Sequence, residues 1–158
     1  MVSTNLDPYA THQPVLFEVI KRTSGPILEL GAGEHSTRQI HELAQGRKIT
    51  TVDDDLEWLE KYLDLKSDSH NFILLSDFRS SEKWDVVFID LHTWEQRLPA
   101  IYDYIDSDYV VIHDADYMFA ANILSEAELK KLYKFTFEYF GAGTPTTLVC
   151  SNKFDFVL

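Results

Sequence analysis

Ile27-Leu28-Glu29-Leu30-Gly31-Ala32-Gly33-Glu34-His35-Ser36-Thr37, residues 27–37, decides the fold. Ile27 to Leu30 is a short apolar run between Gly25 and Gly31, the pattern of a buried strand. Gly31 and Gly33 permit a tight turn and a close approach of backbone to a ligand. Ser36 to Ala44 reads as a helix that stops before Gly46, so the glycine turn feeds a helix N-terminus with free N–H donors. A phosphate suits such a terminus. Here, however, the pattern is G-x-G-x-x-S with no third glycine, and Glu29 and Glu34 flank it. Acids at that place suit a ligand of positive character better than a pyrophosphate.

Outward from this unit the alternation continues. Helices are expected over His12 to Arg22, Leu56 to Leu65 (Leu56, Leu59, Tyr62 and Leu63 inward) and Thr93 to about Ile105, the last interrupted at Pro99. Strands are expected over Lys48 to Val52, Asn71 to Leu75, Trp84 to Ile89 and Tyr109 to Ile112. Ser125-Glu126-Ala127-Glu128 is a capping box opening a helix to about Lys134. Phe135 to Phe140 and Thr146 to Cys150 are two strands whose five-residue link is too short for a helical crossover, so they pair as an antiparallel hairpin. The sum is an α/β three-layer sandwich around a mostly parallel sheet with an antiparallel last strand. The chain of 158 residues fits one domain, with residues 1–8 loosely held.

Composition narrows the partners. Asp and Glu number 26 against 14 Lys and Arg, a net charge of −12. That balance argues against binding a nucleic-acid backbone or an anionic membrane surface. No apolar run approaches a membrane span of roughly 20 residues, and Met1 to Tyr9 is too polar for a signal peptide. The single cysteine, Cys150, excludes an internal disulfide and a cysteine zinc cluster. A cytoplasmic location is the expectation.

In parallel α/β sheets ligands bind beyond the carboxyl ends of the strands. Five successive strands deliver carboxylates there: Glu29, Asp53, Asp77, Asp90 and Asp114. Asp53 follows the glycine turn at the interval expected of an acid that accepts from ribose hydroxyls, leaving Asp54 or Asp55 to cap the next helix.

On these residues the chain resembles the class I S-adenosylmethionine-dependent methyltransferases. Ile27 to Gly33 is similar to their first motif, Thr51-Val52-Asp53 to the acidic second, Leu75-Ser76-Asp77-Phe78 to the third and Trp84 to Asp90 to the fourth. The hairpin matches their reversed seventh strand, and His35 departs from the pattern where a third glycine is common. The resemblance implies a seven-stranded sheet of order 3-2-1-4-5-7-6 and S-adenosylmethionine as cofactor. It implies cofactor contacts from Glu29, Gly31, Ala32, Gly33, Ser36, Thr37, Asp53, Asp54, Asp77, Phe78 and Asp90, with Asp77 meeting the adenine amino group and Phe78 flanking the ring.

The reacting edge lies after the fourth and fifth strands, where Asp90, His92, His113 and Asp114 are the catalytic candidates. Asp90 and Asp114 also match positions that hold Mg²⁺ in the metal-dependent O-methyltransferases, although Ala115 and His113 stand where a third ligand is expected. The metal-free alternative makes His92 or His113 a general base. Trp94, Tyr117 and Phe119 flank this edge as candidate pocket walls, whereas His12, His41 and His70 read as surface or helix-face residues. The leading expectation is methyl transfer to a small-molecule acceptor, at oxygen. A non-catalytic adenosyl-ligand-binding subunit, an aminopropyl transferase and a nicotinamide oxidoreductase are the competing readings. The acceptor's identity and the oligomeric state, a homo-oligomer included, are not fixed by the sequence.

Overall fold

A computed structural model describes residues 7–158. Its sheet comprises β1 (Ile27–Leu30), β2 (Ile49–Asp53), β3 (His70–Leu74), β4 (Val86–Ile89), β5 (Tyr109–His113), β6 (Phe135–Tyr139) and β7 (Thr147–Ser151). Strand order is 3-2-1-4-5-7-6. Strands β1 to β5 pair in parallel, and β7 lies antiparallel between β5 and β6. The helices are α1 (Gln13–Arg22), α2 (Thr37–Ala44), α3 (Leu56–Glu60), α4 (Trp94–Asp103), α5 (Ala115–Ala120) and α6 (Glu126–Leu132).

The two-residue period of the strands divides the apolar residues into two cores. Leu28, Leu30, Val52, Val87, Ile89, Val110 and Ile112 face one way and pack with Ile101 of α4, Met118 of α5 and Leu129 of α6. Ile27, Ile49, Val86, Phe88 and Val111 face the other way, against Val15, Leu16, Val19 and Ile20 of α1 and Ile40 of α2. Tyr133, fully buried, donates its phenolic hydrogen to the Ile101 carbonyl at 2.6 Å, so the largest buried side chain carries no unpaired polar atom.

Several boundaries differ from expectation. The helix expected over 56–65 is a short α-helix followed by a single 3-10 turn, Leu63–Leu65. Leu59 and Tyr62 point inward, but Leu56 and Leu63 are exposed, because a one-and-a-half-turn helix buries only a narrow stripe. Helix α4 runs through Pro99: only one ladder bond is lost, while the Thr93–Gln96 capping box fixes the start. The segment after β5 forms α5, which the sequence reading leaves as loop. Residues 1–6 of the stretch expected to be loosely held lie outside the described residues, whereas Asp7 caps a 3-10 turn formed by Pro8–Ala10. No helix among the described residues is long and apolar enough to cross a membrane.

Gly31 shows why the turn after β1 is glycine. Its φ is +103°, and a Cβ there would overlap the backbone carbonyl of Asp90 at the end of β4. Both the conformation and the contact exclude a side chain. Gly31→Ala is expected to cost about 2 kcal/mol or more in urea-denaturation stability. A loss under about 0.5 kcal/mol would contradict this packing.

Candidate functional site

The same two-residue period builds the site. On the α1/α2 face, apolar residues fill the lower half of the sheet and polar ones follow toward the carboxyl ends. Ile27 gives way to Glu29, Ile49 to Thr51 and Asp53, Phe88 to Asp90, and Val111 to His113. The register sets Glu29 beside Thr51 on one side and Phe88 on the other, and Ile89 beside Ile112. Glu29, Asp53, Asp90 and His113 thus converge because β1, β2, β4 and β5 are neighbours.

Glu29 is fully buried beneath the glycine turn. Its Oε1 accepts from the Ser36 hydroxyl (2.6 Å) and the Thr37 hydroxyl (3.1 Å), and its Oε2 accepts from Thr51 (2.7 Å). Burial raises the Glu29 carboxyl to about 7, with the three hydroxyl donors working against that rise. Thr37 Oγ1 also accepts from the Gly33 N–H at 2.9 Å. Glu29, Ser36 and Thr37, expected to contact a cofactor, therefore turn their polar atoms inward and brace the turn. Gly31 is buried against β4, and the turn lines the cleft from Ala32 through Ser36.

Asp53 ends β2 with its Oδ2 accepting from the Ala32 N–H (2.8 Å) and its Oδ1 from the Asp55 N–H (3.0 Å). Burial raises its pKa. Asp55 caps α3 by accepting from the Trp58 N–H at 3.1 Å, so the division between a capping acid and Asp53 follows the sequence reading. Asp54 accepts from the Gln96 amide at 2.7 Å. Trp58 donates its indole hydrogen to the Ala32 carbonyl at 2.6 Å and lines the cleft.

At the reacting edge the centre is Arg97, which the sequence reading did not single out. Its side chain is 7% exposed. Nη1 donates to Asp114 Oδ2 (2.7 Å) and the His113 carbonyl (3.2 Å), Nη2 donates to Asp90 Oδ1 (3.1 Å), and Nε donates to the Leu91 carbonyl. A guanidinium thus bridges Asp90 and Asp114, the pair expected to hold Mg²⁺ together. The planar fork of arginine engages one oxygen of each carboxylate and sets a fixed positive charge between them. Asp114 sits in the left-handed region at φ 60°, a conformation that aspartate tolerates and that Arg97 fixes here. A helical spacing of three to four residues from Thr93 was the available signal for Arg97, but the charge of an arginine on a helix reads as solvated until its partners are known.

His113 is buried, with Nδ1 3.2 Å from Asp90 Oδ1 and Nε2 3.0 Å from the Thr11 hydroxyl. His92 is exposed on the rim. His12, read from the sequence as a surface residue, is only 1% exposed. It packs against Phe88 and His113 with ring centroids 4.8 and 4.9 Å away, because it stands at the N-cap position of α1, at the carboxyl ends of β4 and β5. Burial pushes it down to about 4. His70 is likewise fully buried, its Nδ1 2.8 Å from that of a half-buried His41.

These elements enclose a cleft of about 1340 Å³. Its lining runs from Ala32, Gly33 and Asp53 at one end to Asp90, His92 and Asp114 at the other. Leu56 and Trp58 supply apolar wall that motif reading missed. Asp77 and Phe78 are not among the lining residues: Asp77 is exposed and Phe78 packs on the core. Nor do Trp94, Tyr117 and Phe119 wall it. Trp94 lies under the Arg97 guanidinium (4.8 Å) and stacks on Tyr117, and Phe119 packs on the core.

Solved structures share this architecture. Human methyltransferase-like protein 13, in complex with S-adenosylhomocysteine, superposes with a TM-score of 0.63 at 14% identity, over 90% of this chain and 82% of that one. The methyltransferase domain of bacterial CtHen1-C gives 0.61 at 15% identity, over 94% and 100%. A TehB-like methyltransferase from Corynebacterium glutamicum gives 0.56 at 15% identity, over 91% and 86%. No protein-family model matches the sequence, and no curated protein matches it either.

Glu29 generates a pH prediction. Its folded pKa lies above its unfolded value, so the stability contributed by the neutral buried carboxyl is complete below pH 4.5 and is lost as pH rises to about 7. Glu29→Gln removes that loss. The stability of the variant relative to the wild type should climb by about 3 kcal/mol across this window. Parallel urea titrations at both ends check it, since the buried histidines cancel in the difference. A pH-independent difference would contradict a shifted Glu29.

Proposed function

We propose that this chain, which has the class I S-adenosylmethionine-dependent methyltransferase fold, binds S-adenosylmethionine in the cleft and transfers its methyl group to a small-molecule acceptor, at oxygen. The observation that carries this reading is Asp53. It is a buried acid at the end of β2, tied by one oxygen to the glycine turn and by the other to the start of α3, with lone pairs left for two ribose hydroxyls.

The residues present suit the ligand. The cleft exceeds the roughly 300–1,000 Å³ of ordinary small-molecule sites, which leaves room for an adenosyl ligand and a second molecule together. Its lining includes Glu34, Asp53, Asp54, Asp55, Glu57, Asp90 and Asp114 against the single paired cation Arg97. That surplus of negative charge favours a sulfonium over a dinucleotide pyrophosphate. The bound ligand would supply an electrophilic methyl group.

The chain's own part is positioning and proton handling. Asp53 holds the ribose, Ala32 and Gly33 form the floor, and Asp54, beside Gln96, extends the polar rim. Leu56 and Trp58 offer apolar surface for the base, a role the resemblance assigns to Asp77 and Phe78. Asp90 and Asp114, clamped by Arg97, fix the far end, where the acceptor enters. His92 on the rim is the group free to take the acceptor's proton, since both ring nitrogens of His113 face other protein groups.

Calorimetry with S-adenosylhomocysteine tests the binding step. The wild type should bind, and Asp53→Ala should bind at least 10-fold more weakly, the loss of one to two hydrogen bonds to a charged group. No heat at millimolar ligand would contradict the reading. If binding holds, a screen of hydroxylated acceptors read as S-adenosylhomocysteine formation should show turnover that His92→Gln reduces at least 10-fold without weakening adenosyl-ligand binding.

A further inference from the structure

We propose that His12, Asp90 and His113 form a binding site for one first-row divalent transition metal ion, distinct from the Asp90–Asp114 pair. The three residues come from the start of α1, the end of β4 and the end of β5. They each offer a ligand atom, and these atoms lie within 4.8 Å of one another. All three line the cleft.

Tautomers point to a cation. His12 Nε2 faces the His35 backbone carbonyl at 3.2 Å. A carbonyl only accepts, so Nε2 carries the hydrogen and Nδ1 carries a lone pair. That Nδ1 is buried with no hydrogen-bond partner, in a side chain that is almost wholly buried. The same logic applies to His113. Thr11 Oγ1 lies 3.1 Å from the Pro8 carbonyl, which can only accept, and 3.0 Å from His113 Nε2; with its one hydrogen on the carbonyl, both contacts are satisfied when His113 Nε2 is the donor. His113 Nδ1 then presents a lone pair to Asp90 Oδ1 at 3.2 Å, with Asp114 Oδ1 at 3.7 Å behind it. Two acceptors facing each other need a cation between them. A proton on His113 Nδ1 would satisfy Asp90 but would leave His12 Nδ1 orphaned, whereas a metal ion accounts for all three groups.

The surroundings are those of a built site. Metal-bound imidazoles normally donate their second N–H to a carbonyl or similar group, and here the His35 carbonyl and the Thr11 hydroxyl oxygen are placed to accept them. Arg97 Nη2, 3.1 Å from Asp90 Oδ1, orients the carboxylate. Two imidazoles and one carboxylate select Zn²⁺, Co²⁺, Fe²⁺ or Mn²⁺ over Mg²⁺, which prefers oxygen. Three protein ligands leave a coordination position for a molecule in the cleft.

The test is independent of the methyl-transfer reading, because it needs no adenosyl ligand. Tag-free, chelator-treated protein is titrated with Zn²⁺, Co²⁺ and Mg²⁺ by calorimetry, and Co²⁺ is also followed by its visible absorption. Expected is one equivalent of Zn²⁺ or Co²⁺, bound at least 100-fold more tightly than Mg²⁺ and weakened at least 100-fold in His12→Gln. Histidine ¹⁵N spectra of the wild type cover the case in which that variant does not fold: Zn²⁺ should shift Nδ1 of both His12 and His113. The proposal is overturned by absence of stoichiometric binding, by undiminished binding in folded His12→Gln, by Zn²⁺ shifts confined to His41 and His70, or by His113 remaining doubly protonated at saturating Zn²⁺.

Discussion

The guanidinium of Arg97 ties together the ends of β4 and β5. It reaches the carboxylates of Asp90 and Asp114 and the backbone carbonyls of Leu91 and His113, all from α4. Without it two carboxylates would face each other across a half-buried edge with no permanent positive charge between them. The left-handed backbone of Asp114 and the His113 carbonyl are both held by this clamp. The acidic end of the cleft is therefore rigid, and its charge is partly neutralised before any ligand enters.

The opposite end is organised from below. Glu29 binds three hydroxyls that hold the glycine turn, β2 and the first turn of α2 in one network. Its acid group is spent on structure, which leaves Asp53 as the acid of β1 and β2 that faces the cleft. One edge of one sheet thus divides its carboxylates by depth. Glu29, one residue pair below the rim, is sequestered in its hydroxyl network, and Asp53, Asp90 and Asp114 at the rim line the cleft.

Much of this was legible in the sequence. The alternation of strands and helices, the antiparallel hairpin and the capping box at Ser125 follow from local periodicity and loop length, which are properties of short stretches, whereas the strand order came from the resemblance. The capping of α3 by an acid just after Asp53 was legible because chain spacing fixes it. Arg97 and His12 were not. Their roles arise from tertiary contacts: Arg97 bonds residues 6 to 17 positions away in the chain, and His12 meets His113 across the sheet. A lone arginine on a helix and a histidine at a helix start read as solvated in the absence of those partners. The hydroxyls of Ser36 and Thr37 likewise have a partner, Glu29, that only the folded chain reveals. Asp77 and Phe78 carry the right residue types, but the turn after β3 sets them outside the cleft.

A crystal structure with S-adenosylhomocysteine tests the central claim most directly. Expected are ribose hydroxyls on the carboxylate of Asp53, the base against Leu56 and Trp58, and the sulfur directed toward Asp90 and Asp114. A ligand bound away from Asp53, or a cleft that stays empty at saturating ligand, would contradict it.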